Sequence, residues 1–161
     1  MILEAAAAAI HASDLSQTLR ASIWLYPMVN TGHVIGIALL FGAIVPLDLR
    51  LLGWRSEVML TQLARTLIPV AIAGLLLAVA TGVLLFATRP LDYIGEPLFA
   101  IKLGLLGLAV TNALLLRRSP HWTLASVAAD KPTRGSWRFA AVASMLLWLG
   151  VITAGRLIGY R

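Results

Sequence analysis

Residues 67–87 read Leu-Ile-Pro-Val-Ala-Ile-Ala-Gly-Leu-Leu-Leu-Ala-Val-Ala-Thr-Gly-Val-Leu-Leu-Phe-Ala, with no charged side chain among them. At about 1.5 Å per residue, roughly 20 helical residues cross the ~30 Å hydrocarbon core of a bilayer, so this stretch predicts a transmembrane helix. Working outward, 97–116 and 139–158 repeat the pattern, interrupted only by Lys102 and Arg156. A fourth stretch, 28–47, is apolar enough to span although it holds Asn30, Thr31 and His33. Lipid offers backbone amides no hydrogen bonds, and neither period-2 alternation nor short strand-like segments occur. The expected fold is therefore all-α: one integral-membrane domain, a four-helix bundle over residues 1–161.

Composition agrees. Of 161 residues, 60% are hydrophobic and 12% charged, and the mean hydropathy is +0.88. Soluble domains carry about 45–50% apolar and about 25% charged residues, which excludes a soluble enzyme. The chain has no cysteine, so disulfides, thiolate metal sites and cysteine nucleophiles are excluded as well.

Basic residues orient the bundle. Arg50, Arg55, Arg65, Arg117, Arg118, Lys131, Arg134 and Arg138 fall in the two loops that follow the first and third spans, eight of the thirteen Lys and Arg. Positive residues concentrate on the cytoplasmic side, so both termini are expected outside, in the periplasm of a bacterial cell with the protein in its inner membrane. The formal charge of +6 is split between two membrane faces and forms no continuous patch, which argues against nucleic-acid binding.

Residues 1–26 are expected to be retained, because Met1-Ile2-Leu3-Glu4 lacks the basic start of a signal peptide. Leu15, Leu19 and Ile23 recur every four residues and predict a short interfacial helix, capped by Ser13 or Asp14, ahead of Pro27. Residues 119–137, with Pro120, Pro132 and Gly135, read as a polar connector. Gly32 and Gly36 in the first span, and Gly74, Ala78 and Gly82 in the second, form small-residue stripes that suit close helix packing.

Ionisable groups at membrane depth are costly and mark candidate sites. His33 lies about six residues, or roughly 9 Å, past Pro27, with Asn30 at i−3 on the same face. Lys102 and Arg156 fall in the same outer layer, and Arg89 ends the second span nearby. One imidazole with two or three cations suits heme b, where His33 ligates iron and Lys102, Arg156 and Arg89 neutralise propionates. It suits a quinone head group equally, since quinone oxygens accept hydrogen bonds from His, Lys or Asn. The other reading of Lys102 and Arg156 is snorkelling to lipid head groups, or pairing with Asp92 and Glu96.

A second iron ligand has two candidates, His11 folded over the bundle mouth or His33 of a second copy. His121 falls in the opposite loop. Met28, five residues from His33, points about 140° away around the helix. At the inner edge Asp48 faces Arg117 and Arg118, which predicts a salt-bridged lock between helix ends, and Thr111 and Asn112 read as structural. Met28, Met59 and Met145 are scattered and no spacing aligns two ligands, so copper or zinc handling is weakly indicated.

The runs Trp24-Leu25-Tyr26-Pro27, Asn30-Thr31-Gly32-His33-Val34-Ile35-Gly36 and Asp48-Leu49-Arg50-Leu51-Leu52-Gly53 resemble an uncharacterised bacterial family of small four-helix inner-membrane proteins. Thr81-Gly82, Leu84-Leu85-Phe86, Pro97-Leu98-Phe99 with Lys102, Leu147-Trp148 and Ala154-Gly155-Arg156-Leu157 are similar to its later segments. More distantly, the histidine-bearing span looks like membrane cytochrome b subunits and copper-resistance D membrane proteins. That resemblance implies a redox or metal setting, although this chain has no second in-span histidine for a bis-histidine heme. The resulting expectation is a redox membrane subunit holding heme b or a quinone, acting as a homo-oligomer or as part of a membrane complex. A cofactor-free accessory or assembly subunit and a small ion or metal permease are the alternatives.

Overall fold

The computed structural model describes residues 2–118 and 135–160. Most of the polar connector, with His121, Lys131 and Arg134, lies outside them. The described elements are α1 (Ile2–Ala12), α2 (Asp14–Ala21), α3 (Leu25–Leu52), α4 (Leu60–Thr88), α5 (Pro90–Ile94), α6 (Pro97–Arg118) and α7 (Gly135–Ile158). The four long helices α3, α4, α6 and α7 are each long and apolar enough to cross a membrane, as the sequence predicts.

Each long helix outruns its apolar stretch, α3 by starting at Leu25 and α4 by starting at Leu60. Helical hydrogen bonding continues past the hydrocarbon boundary into polar sequence, whereas hydropathy marks only the lipid-facing part. Pro46 and Pro69 sit inside α3 and α4 without ending them. Gly53 ends α3 in a left-handed conformation at φ 103°, which glycine adopts without strain. Its N–H reaches the Arg50 carbonyl and that of Trp54 reaches Leu49, the paired bonds of a Schellman motif. Arg50 then donates from Nε to the Val58 carbonyl at 2.6 Å and from a terminal nitrogen to Ser56 at 2.8 Å, tying down the 53–59 loop.

The bundle is held chiefly by two pairs, α3 with α4 and α6 with α7, and α3 also packs on α7. The small-residue stripes make the first pair possible. A Cβ on Gly36 would stand 2.6 Å from the Ala78 amide nitrogen, and one on Gly74 would stand 2.5 Å from that of Leu40, so the two backbones meet where no side chain intervenes. Close approach of this kind supplies van der Waals attraction that lipid cannot provide between bulkier helices. Core packing continues with Leu40, Ala109 and Trp148 at mid-bundle, and with Leu51, Leu60 and Ala141 near the inter-helix loops.

The row runs α4–α3–α7–α6, and its two outermost helices face one another across a cleft. The backbones of α4 and α6 never approach within 8 Å. Their bridge is aromatic: Phe86 of α4 stacks on Phe99 of α6 with centroids 5.4 Å apart, and Tyr93 of α5 packs against both.

The N-terminal segment forms two helices where the sequence predicted one. Ser13, of the two candidates, is the N-cap of α2, accepting from the Ser16 amide. Ser16 is fully buried and donates to the Ala87 carbonyl at 2.6 Å, and Arg20 donates to the Thr88 carbonyl at 3.1 Å. Both acceptors belong to the last turn of α4, whose carbonyls have no helical partners. The N-terminal helices are thereby docked at the end of the bundle that carries both termini, called the upper end below.

Replacing Gly36 or Gly74 by alanine is expected to destabilise the bundle by about 1–3 kcal/mol, an overpacking cost. Gly104→Ala, where an added Cβ meets nothing within 4 Å, should leave it unchanged. Thermal unfolding in detergent distinguishes the three variants.

Candidate functional site

His33 projects from α3 toward α4 at the upper end. The room for its ring comes from Gly82, where a Cβ would lie 3.2 Å from the imidazole Cε1. Nδ1 lies 2.8 Å from the Ala78 carbonyl oxygen and 3.1 Å from Thr81 Oγ1. A carbonyl only accepts, so Nδ1 carries the proton and donates. Thr81 spends its own proton on the Leu77 carbonyl at 2.6 Å, leaving its oxygen to share the Nδ1–H. With Nδ1–H committed to the backbone, Nε2 of the neutral ring presents its lone pair, the arrangement that orients a histidine as a metal ligand or as a hydrogen-bond acceptor.

Asn30, His33, Lys102 and Arg156 line one cavity of about 590 Å³, reaching down to Leu40, Leu75 and Trp148. Its volume lies within the roughly 300–1,000 Å³ range of small-molecule sites, and its walls are mostly apolar with a few convergent polar groups. Residues from α3, α4, α6 and α7 all contribute. Lys102 is half-buried, its Nζ resting where a Cβ on Gly155 would be 3.4 Å away, and it has no hydrogen-bond or ion-pair partner among the described residues. A side chain here longer than hydrogen at position 155 would displace the ammonium. Arg156 is exposed at the rim, donating to the Tyr160 hydroxyl at 3.0 Å with its guanidinium 5.0 Å from that ring centroid.

The other two candidates lie elsewhere. His11 Nδ1 is 2.8 Å from an Arg20 nitrogen and accepts from it, since a guanidinium only donates. Arg20 also donates to the His11 carbonyl at 2.9 Å, so His11 belongs to the docking contact of α1 and α2 and does not line the cavity. Arg89 is exposed at the junction of α4 and α5 and likewise does not line it. Beside it, burial pushes the Tyr93 phenol above its ordinary pKa, an effect Tyr26 reinforces and Arg89 opposes.

Trp148, within the 139–158 span, is not among the site candidates read from the sequence. It is buried at 4% exposure, its indole Nε1 has no hydrogen-bond partner among the described residues, and it forms the floor of this cavity. Its mid-span position was the available signal, because an indole N–H needs an acceptor wherever it is buried. At the lower end the expected lock is replaced: Asp48 hydrogen-bonds Ser144 and forms no ion pair with Arg117 or Arg118. A serine on the facing helix reaches the carboxylate where the arginines, at an exposed helix end, remain in contact with the surroundings. Asn112 does bond across helices, donating to the Ala140 carbonyl at 3.0 Å, while Thr111 bonds its own helix at Gly107. No group of three or more His, Cys, Asp or Glu could hold a metal ion among the described residues.

Comparison with known proteins returns no matching family model, no matching curated protein and no matching solved structure.

Nitrogen-15 spectra of histidine-labelled protein should show His33 protonated at Nδ1. Thr81→Val should retain that tautomer, because the Ala78 carbonyl remains, whereas Gly82→Val should displace the ring and shift both resonances.

Proposed function

We propose that this protein is an integral-membrane redox subunit whose upper cavity holds a flat redox group, heme b or a quinone ring. The observation that carries the reading is the convergence of a Nδ1-protonated His33, a Lys102 without a hydrogen-bond or ion-pair partner among the described residues, and a rim Arg156 on one apolar cavity. The residues fit either group. Heme b would be held through His33 Nε2, with Lys102 and Arg156 offsetting the charge of its propionates and a second copy of the chain completing the iron's ligands. For a quinone, Lys102 and Asn30 donate to the ring oxygens while the tail leaves between α4 and α6, where no backbone closes the cleft.

Either group supplies reversible electron uptake at the periplasmic side of a bacterial inner membrane, between a periplasmic partner and the membrane pool. The chain's part is to fix orientation through His33, to offset negative charge through Lys102 and Arg156, and to keep water out with apolar walls. In this reading both termini are periplasmic and the protein works as a homo-oligomer or within a membrane complex. The alternatives remain a cofactor-free accessory subunit, in which the cations bind lipid phosphates, and an ion or metal permease.

Protein purified in mild detergent from heme-replete cells should show a Soret band with sharp α and β bands on reduction, lost in His33→Ala. If it is colourless, solvent extracts should contain co-purifying quinone, reduced at least about tenfold in Lys102→Ala. Protein carrying neither group overturns the proposal and leaves the accessory reading, while substrate flux in liposomes would favour the permease.

A further inference from the structure

The α4–α6 cleft continues below Trp148. A second cavity, of about 200 Å³, is lined by Leu40, Leu75 and Trp148, shared with the upper one, and by Asp48, Asn112, Ser144 and Arg117. Two polar atoms of its lining residues have no hydrogen-bond partner among the described residues. Asp48 is 4% exposed, and its Oδ2 has no hydrogen-bond partner among the described residues. Trp148 Nε1–H, four residues from Ser144 or about 6 Å along α7, has none among them either. Orphaned polar atoms at such burial are rare, because each costs about 1–3 kcal/mol.

The two orphans ask for opposite things. As a carboxylate, Asp48 accepts at Oδ2 and needs a donor, whereas Trp148 Nε1–H needs an acceptor. Arg117 also lines this cavity, and its positive charge disfavours a metal cation there. The remaining lining is aliphatic, from Ile44 and Leu47 of α3 to Ile68 and Ile72 of α4, and the cavity lies in the cleft between α4 and α6, whose backbones stay apart. A ligand satisfying both atoms is neutral, has a hydroxyl and an apolar body, and reaches the cavity from the bilayer.

We infer that the lower cavity is a second binding site, for the hydroxylated ring of a membrane-soluble amphiphile of the hydroquinone class. The ring hydroxyl donates to Asp48 Oδ2 and a ring oxygen accepts from Trp148 Nε1–H. The site stands on the lower cavity alone and holds whichever group the upper cavity takes. It also predicts selectivity, since the oxidised quinone has no hydroxyl for Asp48.

The test titrates full-length protein in nanodiscs with decylubiquinol kept reduced, and separately with decylubiquinone, by calorimetry in a His33→Ala/Lys102→Ala background that removes the upper cavity's ligand contacts. Quinol binding should persist there and weaken about tenfold or more in Asp48→Leu, a change that should leave quinone binding within about twofold. Trp148→Phe should weaken both forms, and it carries the test if Asp48→Leu fails to fold. Quinol binding indifferent to both substitutions, or already abolished in the His33→Ala/Lys102→Ala background, overturns the inference. Those results are separate from the spectra and extracts that test the upper cavity.

Discussion

The backbone contact between Gly36 and Gly74 governs the geometry of everything else. With no hydrophobic force between helices in lipid, α3 and α4 are held by approach distance, and only hydrogen at both positions permits it: a Cβ on either would stand within 2.6 Å of the facing backbone. Three residues before Gly36 lies His33, and four after Gly74 lies Ala78, whose carbonyl the imidazole reaches. The same face of α4 presents Thr81 and Gly82, one as a second acceptor and the other as space. A pair held further apart would leave the ring without these partners.

A tight α3–α4 pair has a geometric consequence across the bundle. Because α3 binds α4 on one side and α7 on the other, α4 is drawn away from α6, and the opening between them is bridged by rings at Phe86, Tyr93 and Phe99. Polar side chains accumulate along the gap at two levels, around His33 above and Asp48 below, with Trp148, Leu40 and Leu75 between. Polar groups at these depths are expensive unless partnered. His33 is satisfied by backbone, whereas Lys102, Asp48 Oδ2 and Trp148 Nε1 have no hydrogen-bond partner among the described residues, and that imbalance separates the cleft from ordinary packing.

The docked N-terminal helices follow a more local logic. The end of α4 leaves carbonyls in need of donors, and Ser16 and Arg20 supply them from α2. Arg20 also gathers the His11 carbonyl and Nδ1, so one guanidinium joins α1, α2 and α4. It binds His11 in the process, at a distance from the cavity that the histidine's position in the chain gave no means to foresee.

Hydropathy and length were enough to specify four spanning helices, because lipid leaves a backbone no other way to satisfy its hydrogen bonds. The glycine and alanine spacing marked which faces of α3 and α4 meet, and helical rise placed His33, Lys102 and Arg156 in one layer, since both quantities depend on local geometry. Pairing across helices was beyond the sequence. That Ser144 and not Arg117 answers Asp48, that Arg20 holds His11, that α4 and α6 stand apart, and that Trp148 lies between two cavities are consequences of which helices touch. A linear pattern fixes the angle and depth of each side chain on its own helix; the partner it meets is decided by the packing of all four.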